Sequence, residues 1–527
     1  MKQSENTGPP QSTENSRIIA KNAVWSGVEV GFGLIANLFT SIAIARILGR
    51  DELGKARLGS YQYIVWLTTI TLSMGTFGLP ATTRRYMAEY LNKGNLEIAR
   101  ATYLSTLKLQ TYISLIAAAI GLGVISWLGD PGYFTASVLL VAAIVPRLIA
   151  SIPSQANNAS EAVRRNAAPA VAGVAVTALV TGLSLYLGWE FVGLSLAAFL
   201  GAALECALKL RTVEKWLGHV RRGVVAPELR KRMWTYSGQS IALVLLALIV
   251  WDRSDILILK AINPDTRQIL FFSLPFNLVE RVLMIPTLFA GALGFTMMAQ
   301  YGRGEARLKE MTVDGGRYAL LIALPLLLGM ACLSRPLVDL VYLPSYRMMI
   351  PTLTLIALLA IPKALVTAPT MLLQTTERQG FLIFWGCVCG AVDIGLDFLL
   401  AGKHGANGAA IANGTAQGLA ALGIWIYAWR ADRLDLKLLD CGRILLSGAI
   451  MAAGVIAITR AVPGYLGLFL AVLGGAVLWL ISLRLTAALK RQDVGRFLSI
   501  GNQLPLAVRP HWRSLIAWLA PSVSALE

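Results

Sequence analysis

Asp393 and Asp397 stand four residues apart in CGAVDIGLDFLLAG, inside an apolar run long enough to cross a bilayer. On a helix that spacing puts both carboxylates on one face. Ionised carboxylates stacked in a low-dielectric site repel one another, so such a pair could hold a proton or a cation. The plainer alternative places Asp397 near the outer headgroups and lets Asp393 bond a neighbouring helix. Further charges lie in or beside similar runs: Glu29, Arg147, Glu280, Arg281 and Lys363, with Asp252, Arg253 and Asp255 closing another in IVWDRSDILIL. A charge at membrane depth costs at least ~2.5–3.5 kcal/mol on insertion scales, so it normally faces a bundle interior or a wet cavity. Together these residues describe a polar path through a membrane rather than an anchor.

Each group has its own local chemistry. Glu280 and Arg281 are adjacent in LPFNLVERVLMIP, and consecutive helical residues point about 100° apart, so each needs its own partner. Pro275 and Pro286 bracket them and can bend the helix. Glu29 sits in WSGVEVGFG, where Gly27, Gly31 and Gly33 let other groups come close. Lys363 follows Pro362. For all of these the competing reading is a structural ion pair. Arg84 and Arg85 follow GLPATT at the end of a span. They read first as a headgroup anchor, and second as a bidentate contact for an anionic substrate such as a pyrophosphate.

The elements that must carry these groups are membrane helices. Hydrophobic residues make up 56% of the 527-residue chain and charged residues 14%, against about 25% charged in a soluble domain. Apolar runs of roughly 17–25 residues, the length that spans a bilayer as helix, recur throughout. We read fourteen: 22–48, 61–79, 109–128, 134–152, 167–187, 191–208, 234–251, 269–298, 318–334, 349–373, 381–400, 405–429, 444–458 and 465–485. Twelve or thirteen remain if 134–152, 318–334 or 444–458 stops short of crossing. Helices follow because backbone polar groups in lipid must be satisfied internally and the alternation of a membrane barrel is absent. The expected class is an all-α polytopic membrane protein.

The net charge of +18 needs no nucleic acid. Lys209, Arg211, Lys215, Arg221, Arg222, Arg230, Lys231 and Arg232 cluster between two spans, whereas 129–133 and 188–190 carry no Lys or Arg. That asymmetry is the positive-inside pattern, with both termini cytoplasmic. The loop 49–59, with Arg50, Lys55 and Arg57, is the exception, since it falls outside. Residues 1–20 have no signal-peptide pattern and read as a disordered cytoplasmic tail. The remainder divides into an N-lobe of six spans (21–215), a cytoplasmic linker (216–233), a C-lobe of six (234–432), two further spans (433–489), and a cytoplasmic tail (490–527) whose HWRSLIAWLAP could form an interfacial helix. Weak echoes between the lobes, such as EAVRRNAAPAV and TERQGFLIF, fit the internal repeats of transporters, with the site at the repeat interface.

Other constellations are bland. Cys206, Cys332, Cys387, Cys389 and Cys441 make no CxxC and read as small core residues. GANGAAIANGTAQG reads as close helix packing. His219, His404 and His511 are widely spaced in expected loops, and no HExxH, GxSxG or Walker sequence occurs. No metal, cofactor or enzyme is expected.

Four motifs in order carry a family resemblance: ARILGRDELGKARLGSYQYI, GLPATTRRYMAEYL, LLQTTERQGFLIF and HGANGAAIANGTAQ. The chain resembles the bacterial polysaccharide transporters, the O-antigen-flippase-like proteins of the multidrug/oligosaccharidyl-lipid/polysaccharide exporter (MOP) superfamily, over residues 22–429. Lys55-Ala56 after Gly54 departs from it, since an aromatic is commoner there. The resemblance implies two six-helix lobes around a central cavity plus two C-terminal helices. It implies a polyprenyl-pyrophosphate-linked oligosaccharide flipped from the cytoplasmic to the outer leaflet of the bacterial inner membrane by alternating access, in polysaccharide or lipopolysaccharide synthesis. Partners would be that lipid, membrane lipids, a polysaccharide polymerase and glycosyltransferases. Arg85, Arg253, Arg281 and Lys363 would meet the pyrophosphate, while Glu29, Asp252 and Glu280 would set the cavity's polarity.

Two negative charges moving outward from a negative interior gain roughly 4–5 kcal/mol per 100 mV. Ion antiport is therefore not required thermodynamically, although the carboxylates make H+ or Na+ coupling a natural way to reset the cavity. The alternatives are a cation-coupled multidrug or small-solute antiporter of the same superfamily, and, ranking below it, a membrane polymerase or glycosyltransferase. The latter would need a large outside loop, which the chain lacks.

Overall fold

Regular apolar runs broken by short polar turns give a chain that is helical almost throughout. The structure, a computed structural model, describes residues 11–519 except 161, 163, 222, 251, 253, 301–304, 377, 491–492, 496–497 and 499–508. In chain order the helices are α1 (Gln11–Leu48), α2 (Glu52–Gly75), α3 (Leu79–Asn92), α4 (Leu96–Leu128), α5 (Phe134–Ala159), α6 (Arg164–Tyr186), α7 (Glu190–Leu217), α8 (Pro227–Val250), α9 (Asp255–Ile262) and α10 (Arg267–Gln300). They continue with α11 (Glu305–Cys332), the single turn α12 (Ser334–Leu337), α13 (Ile350–Leu359), α14 (Ile361–Leu365), α15 (Thr367–Thr375), α16 (Gln379–Asp432), α17 (Leu438–Ala461), α18 (Gly464–Leu485) and α19 (Arg509–Leu519).

Among the described residues, twelve helical segments are long and apolar enough to cross a membrane. Two details reconcile that number with the fourteen expected spans. Run 234–251 lies on α8. Runs 381–400 and 405–429 are the two arms of α16, which Gly405 interrupts with φ 54° and ψ −131°. A straight helix of 54 residues would be about 81 Å long, far more than a bilayer. The arms instead lie antiparallel. The Phe381 ring stacks on Tyr427 at 3.8 Å, and Trp385 Nε1 donates to the Leu419 carbonyl at 3.3 Å. Gln268 Oε1 accepts from the Ala406 N–H at 3.1 Å, satisfying an amide the break releases.

By their contacts the residues separate into two compact units, 1–49 with 60–247, and 50–59 with 248–527. The first holds α1, most of α2 and α3–α7, with α8 up to residue 247. At its centre α5 packs on α7, α4 and α3, and α6 joins α7 to α1. One apolar core there contains Met87, Tyr103, Ile152 and Val213. In the second unit α10 and α11 pack with α13–α16, and α17 and α18 attach through α11. Leu320, Leu324, Ile444, Met451 and Ala471 form the core of that attachment. Exposed apolar side chains such as Trp127, Tyr186 and Leu439 lie on helix exteriors, the surface that lipid covers in a membrane protein.

Several expectations are corrected. The loop 49–59 is mostly helix, since α2 starts at Glu52. Lys55 is no loop cation. It is fully buried, its Nζ 2.5 Å from Glu52 and 2.9 Å from the Ser345 carbonyl, with the Tyr346 ring 5.5 Å away. Lys209, read as part of a cytoplasmic charge cluster, is buried on α7 and pairs with Glu205. Residues 11–20 begin α1 instead of belonging to a disordered tail, and residues 1–10 lie outside the described residues. Cys206 and Cys389 are buried, but Cys387 is exposed and no core residue. His404 and His511 lie on helices, not loops.

The segment after α18 is tied down by charge. Arg317 of α11 and Asp493 are 3% and 1% exposed and form a two-pronged ion pair, and Tyr318 Oη donates to the same carboxylate at 2.6 Å. Burial pushes the Asp493 carboxyl up, but these donors and the Lys490 N–H outweigh it and hold the group below its ordinary value. Helix α19 then packs Ile516 and Leu519 near Val494, with Arg484 4.7 Å from the Trp518 ring.

Two predictions follow from this packing. Gly405→Ala forces a side chain into a backbone region that only glycine enters freely, at a cost of about 1–3 kcal/mol. Its Cβ would also come 2.8 Å from the Gln268 side-chain carbon, so the variant should melt several degrees lower in detergent. Asp493→Ala strands a buried guanidinium and should cost about 3–5 kcal/mol. Because the folded carboxyl is depressed, the pair contributes in full above about pH 4, the unfolded value, and is lost as pH falls through the lower folded value. Limited proteolysis of the C-terminal segment should therefore stay slow at pH 5 and accelerate only below about pH 4.

Candidate functional site

Three carboxylates meet in the second unit. Asp393 and Asp397 lie on the first arm of α16, on the one face that their spacing dictates, and both are fully buried. Asp255 opens α9 and is fully buried too. Because α9 packs against α16, Asp255 comes within hydrogen-bonding reach of Asp397. Nothing in the sequence announces that Asp255 joins the Asp393/Asp397 pair, since the chain does not say which spans will touch.

A break in the helix supplies the rest of the shell. α8 ends at Val250 and α9 begins at Asp255, with Asp252 and Ser254 outside helix between them. Such backbone at membrane depth is tolerated where it is buried in protein or lines a wet cavity. Ser254 Oγ donates to Asp393 Oδ2 at 3.3 Å. From the second arm of α16, Asn413 Nδ2 donates to the Asp252 carbonyl at 3.1 Å and to Asp255 Oδ2 at 3.0 Å. Gln417 Nε2, one turn further, donates to Asn413 Oδ1 at 2.8 Å and fixes that amide's orientation. Both amides lie in GANGAAIANGTAQG, the run expected to serve close helix packing. Their i,i+4 spacing was the available signal.

What the cluster lacks is also informative. As carboxylates, Asp255 Oδ1, Asp393 Oδ1 and both oxygens of Asp397 accept no hydrogen bond among the described residues, and Asp255 and Asp397 bond each other only when one of them carries a proton. No Lys or Arg there acts on any of the three. No group of three or more His, Cys, Asp or Glu among the described residues is arranged as a ready metal site. The arrangement can share protons or, with small movements, take up a monovalent cation.

The remaining candidates fall into separate places. In the second unit Lys363 Nζ bonds Glu280 Oε1 at 2.5 Å and lies 5.5 Å from the Phe276 ring. Arg281 is half-buried beside Tyr342 and pairs with no carboxylate among the described residues. The neighbours Glu280 and Arg281 thus have different surroundings, as their 100° offset requires. Asp252 is half-buried and contributes its carbonyl to Asn413. Arg253 lies outside the described residues. In the first unit Glu29, half-buried on α1, lies in the field of Lys209 and Glu205, which pair at 2.6 Å. Exposed Arg147 on α5 feels Glu205 and Tyr61, whose hydroxyl is 3.2 Å from Ser195 Oγ. This first-unit group carries both signs, and Lys209 and Glu205 form its ion pair. Arg85 is exposed on α3, with its guanidinium 4.5 Å from the Tyr236 ring and 5.8 Å from Tyr86.

No protein-family model and no curated protein matches the chain. Solved structures do. Lipid II flippase MurJ in an inward closed conformation matches with a TM-score of 0.64 at 14% identity, over 87% of this chain and 98% of its own. An inward-facing multidrug resistance MATE family transporter of the MOP superfamily matches with a TM-score of 0.62 at 12% identity, over 77% of this chain and 98% of its own. A MOP superfamily transporter from Pyrococcus furiosus matches with a TM-score of 0.58 at 14% identity, over 79% and 96%. This chain is a multi-pass α-helical membrane protein with the fold that these flippase and transporter structures share.

Proposed function

We propose that the chain is a flippase that carries a polyprenyl-pyrophosphate-linked oligosaccharide from the cytoplasmic to the outer leaflet of a bacterial inner membrane by alternating access. Protons or a monovalent cation exchanged at Asp255, Asp393 and Asp397 reset it. The observation that carries the coupling is the trio of fully buried carboxylates, four of whose oxygens accept no hydrogen bond and which meet no Lys or Arg among the described residues. Like charges ~4 Å apart repel by about 4 kcal/mol even at an effective dielectric near 20, so three ionised groups would expel one another. Loading and unloading the cluster therefore changes the energy of the helix break that Asp252, Ser254 and Asn413 hold together.

The choice of a lipid-linked substrate rests on α17 and α18. These two helices extend the chain beyond the two six-span sets. The flippase neighbour covers 87% of this chain and the multidrug transporter 77%, which supports a relation to the longer architecture. Among the described residues of the second unit, Arg281 and Lys363 are the candidate cations for a pyrophosphate, and Lys363 has to leave Glu280 to reach it. The multidrug or small-solute antiporter is the second reading, favoured by the carboxylate cluster, which would serve it equally.

Reconstitution separates the two readings. Proteoliposomes bearing the full chain and a fluorescent polyprenyl-pyrophosphate oligosaccharide should show accelerated loss of the label to an outside quencher. Imposing a proton or sodium gradient should raise the rate further. Arg281→Ala should lower it about 10- to 100-fold, the worth of a charge-assisted hydrogen bond, with normal insertion. Gradient-driven movement of cationic dyes with no lipid movement would select the antiporter. At the cluster, Asp397→Asn should remove the gradient dependence while the protein still folds. Asn413→Leu should lower thermal stability by about 1–3 kcal/mol, because it leaves a second Asp255 oxygen and the Asp252 carbonyl unpaired.

A further inference from the structure

The first unit holds a cavity of about 360 Å³ walled by α3, α4, α8 and the segment before α8. None of the candidate site residues lines it. Its chemistry is two-sided. Lys108 and Arg230 supply two positive charges, and Leu109, Tyr112, Met233 and Trp234 supply an apolar and aromatic wall. Both cations are exposed, and among the described residues neither pairs with a carboxylate. Elsewhere in this unit Lys93 and Arg232 pair with Glu89, and Lys209 with Glu205.

The placement along the helices is what identifies the occupant. Lys108 immediately precedes the apolar run 109–128 of α4, and Arg230 stands four residues before the run 234–251 of α8. Both charges therefore sit at the polar edge of a span, on the same cleft. Two aromatics flank them at the same level: Tyr112, 55% exposed with Lys108 6.0 Å from its ring, and Trp234, 47% exposed. Aromatic rings that bare one face at a span's edge are the usual residents of the headgroup layer. Basic pockets between membrane helices suit anionic lipid headgroups. A soluble phosphate would use the two cations and leave the apolar wall wet. A zwitterionic lipid would bring its own ammonium against them.

We infer that this cleft binds one anionic phospholipid, with its phosphate between Lys108 and Arg230 and an acyl chain along Leu109, Tyr112 and Trp234. The site lies within the first unit and does not depend on the transport reading, so it stands or falls separately from it.

The test uses the purified full chain in neutral detergent, with phosphatidylglycerol, phosphatidylcholine and inorganic phosphate as probes. Native mass spectrometry should show retention of phosphatidylglycerol in preference to phosphatidylcholine, and phosphate alone should neither bind nor compete. Each cation near an anionic headgroup is worth about fivefold, so the double variant Lys108→Gln/Arg230→Gln should weaken phosphatidylglycerol about thirtyfold. Its melting temperature without lipid serves as the folding control. If that variant unfolds, Trp234→Phe provides a second measurement. Phosphatidylglycerol brominated on its acyl chain should quench the wild-type tryptophan fluorescence more than that of Trp234→Phe. Equal retention of both lipids, competition by phosphate, an unweakened double variant, or identical quenching in Trp234→Phe would each overturn the assignment.

Discussion

The physical constraint behind this structure is that charge cannot be left uncompensated in a low-dielectric interior. Most ionisable groups buried here meet it conventionally. Arg317 has Asp493, Lys209 has Glu205, and Lys55 has Glu52 and a carbonyl. The Asp255–Asp393–Asp397 cluster does not, and among the described residues that sets the second unit apart. A buried carboxyl that lacks a fixed cationic partner is held more easily in its protonated, neutral form.

The helix break ahead of α9 fits the same logic. Continuous helices satisfy their own backbone and have nothing to offer a ligand, whereas an interrupted one frees polar groups for use. Here those groups are spent on the carboxylates, through Ser254 and the Asp252 carbonyl by way of Asn413. The acids and the break are therefore bonded directly to one another, with no long chain of side chains between them.

Much of the fold could be read from the chain because hydrocarbon imposes a length on every span, and the fourteen apolar runs lie largely on helices, although 349–373 is divided among α13, α14 and α15. The i,i+4 pair Asp393/Asp397 was legible for the same reason, since one helix fixes its geometry. What could not be read was every feature created by contact between distant segments. Asp255 joins the pair only because α9 packs on α16. Lys55 looked like a loop cation because its neighbours Ser345 and Tyr346 come from far along the chain. Arg85, promising beside a span, rests on the Tyr236 ring. Pattern within an element reports which face a residue occupies. It does not report which other element that face will meet.

Gly405 has a consequence for sidedness. By folding α16 back on itself it returns the chain to the side it came from, so the orientation of α17, α18 and the terminal helix is inherited from one residue's torsion angles. Were the two arms ever to straighten into one rod, every later crossing would change parity and the tail fastened by Arg317 would emerge on the opposite face. With the arms folded back, the chain after α18 returns to α11 at Arg317, where Asp493 meets it.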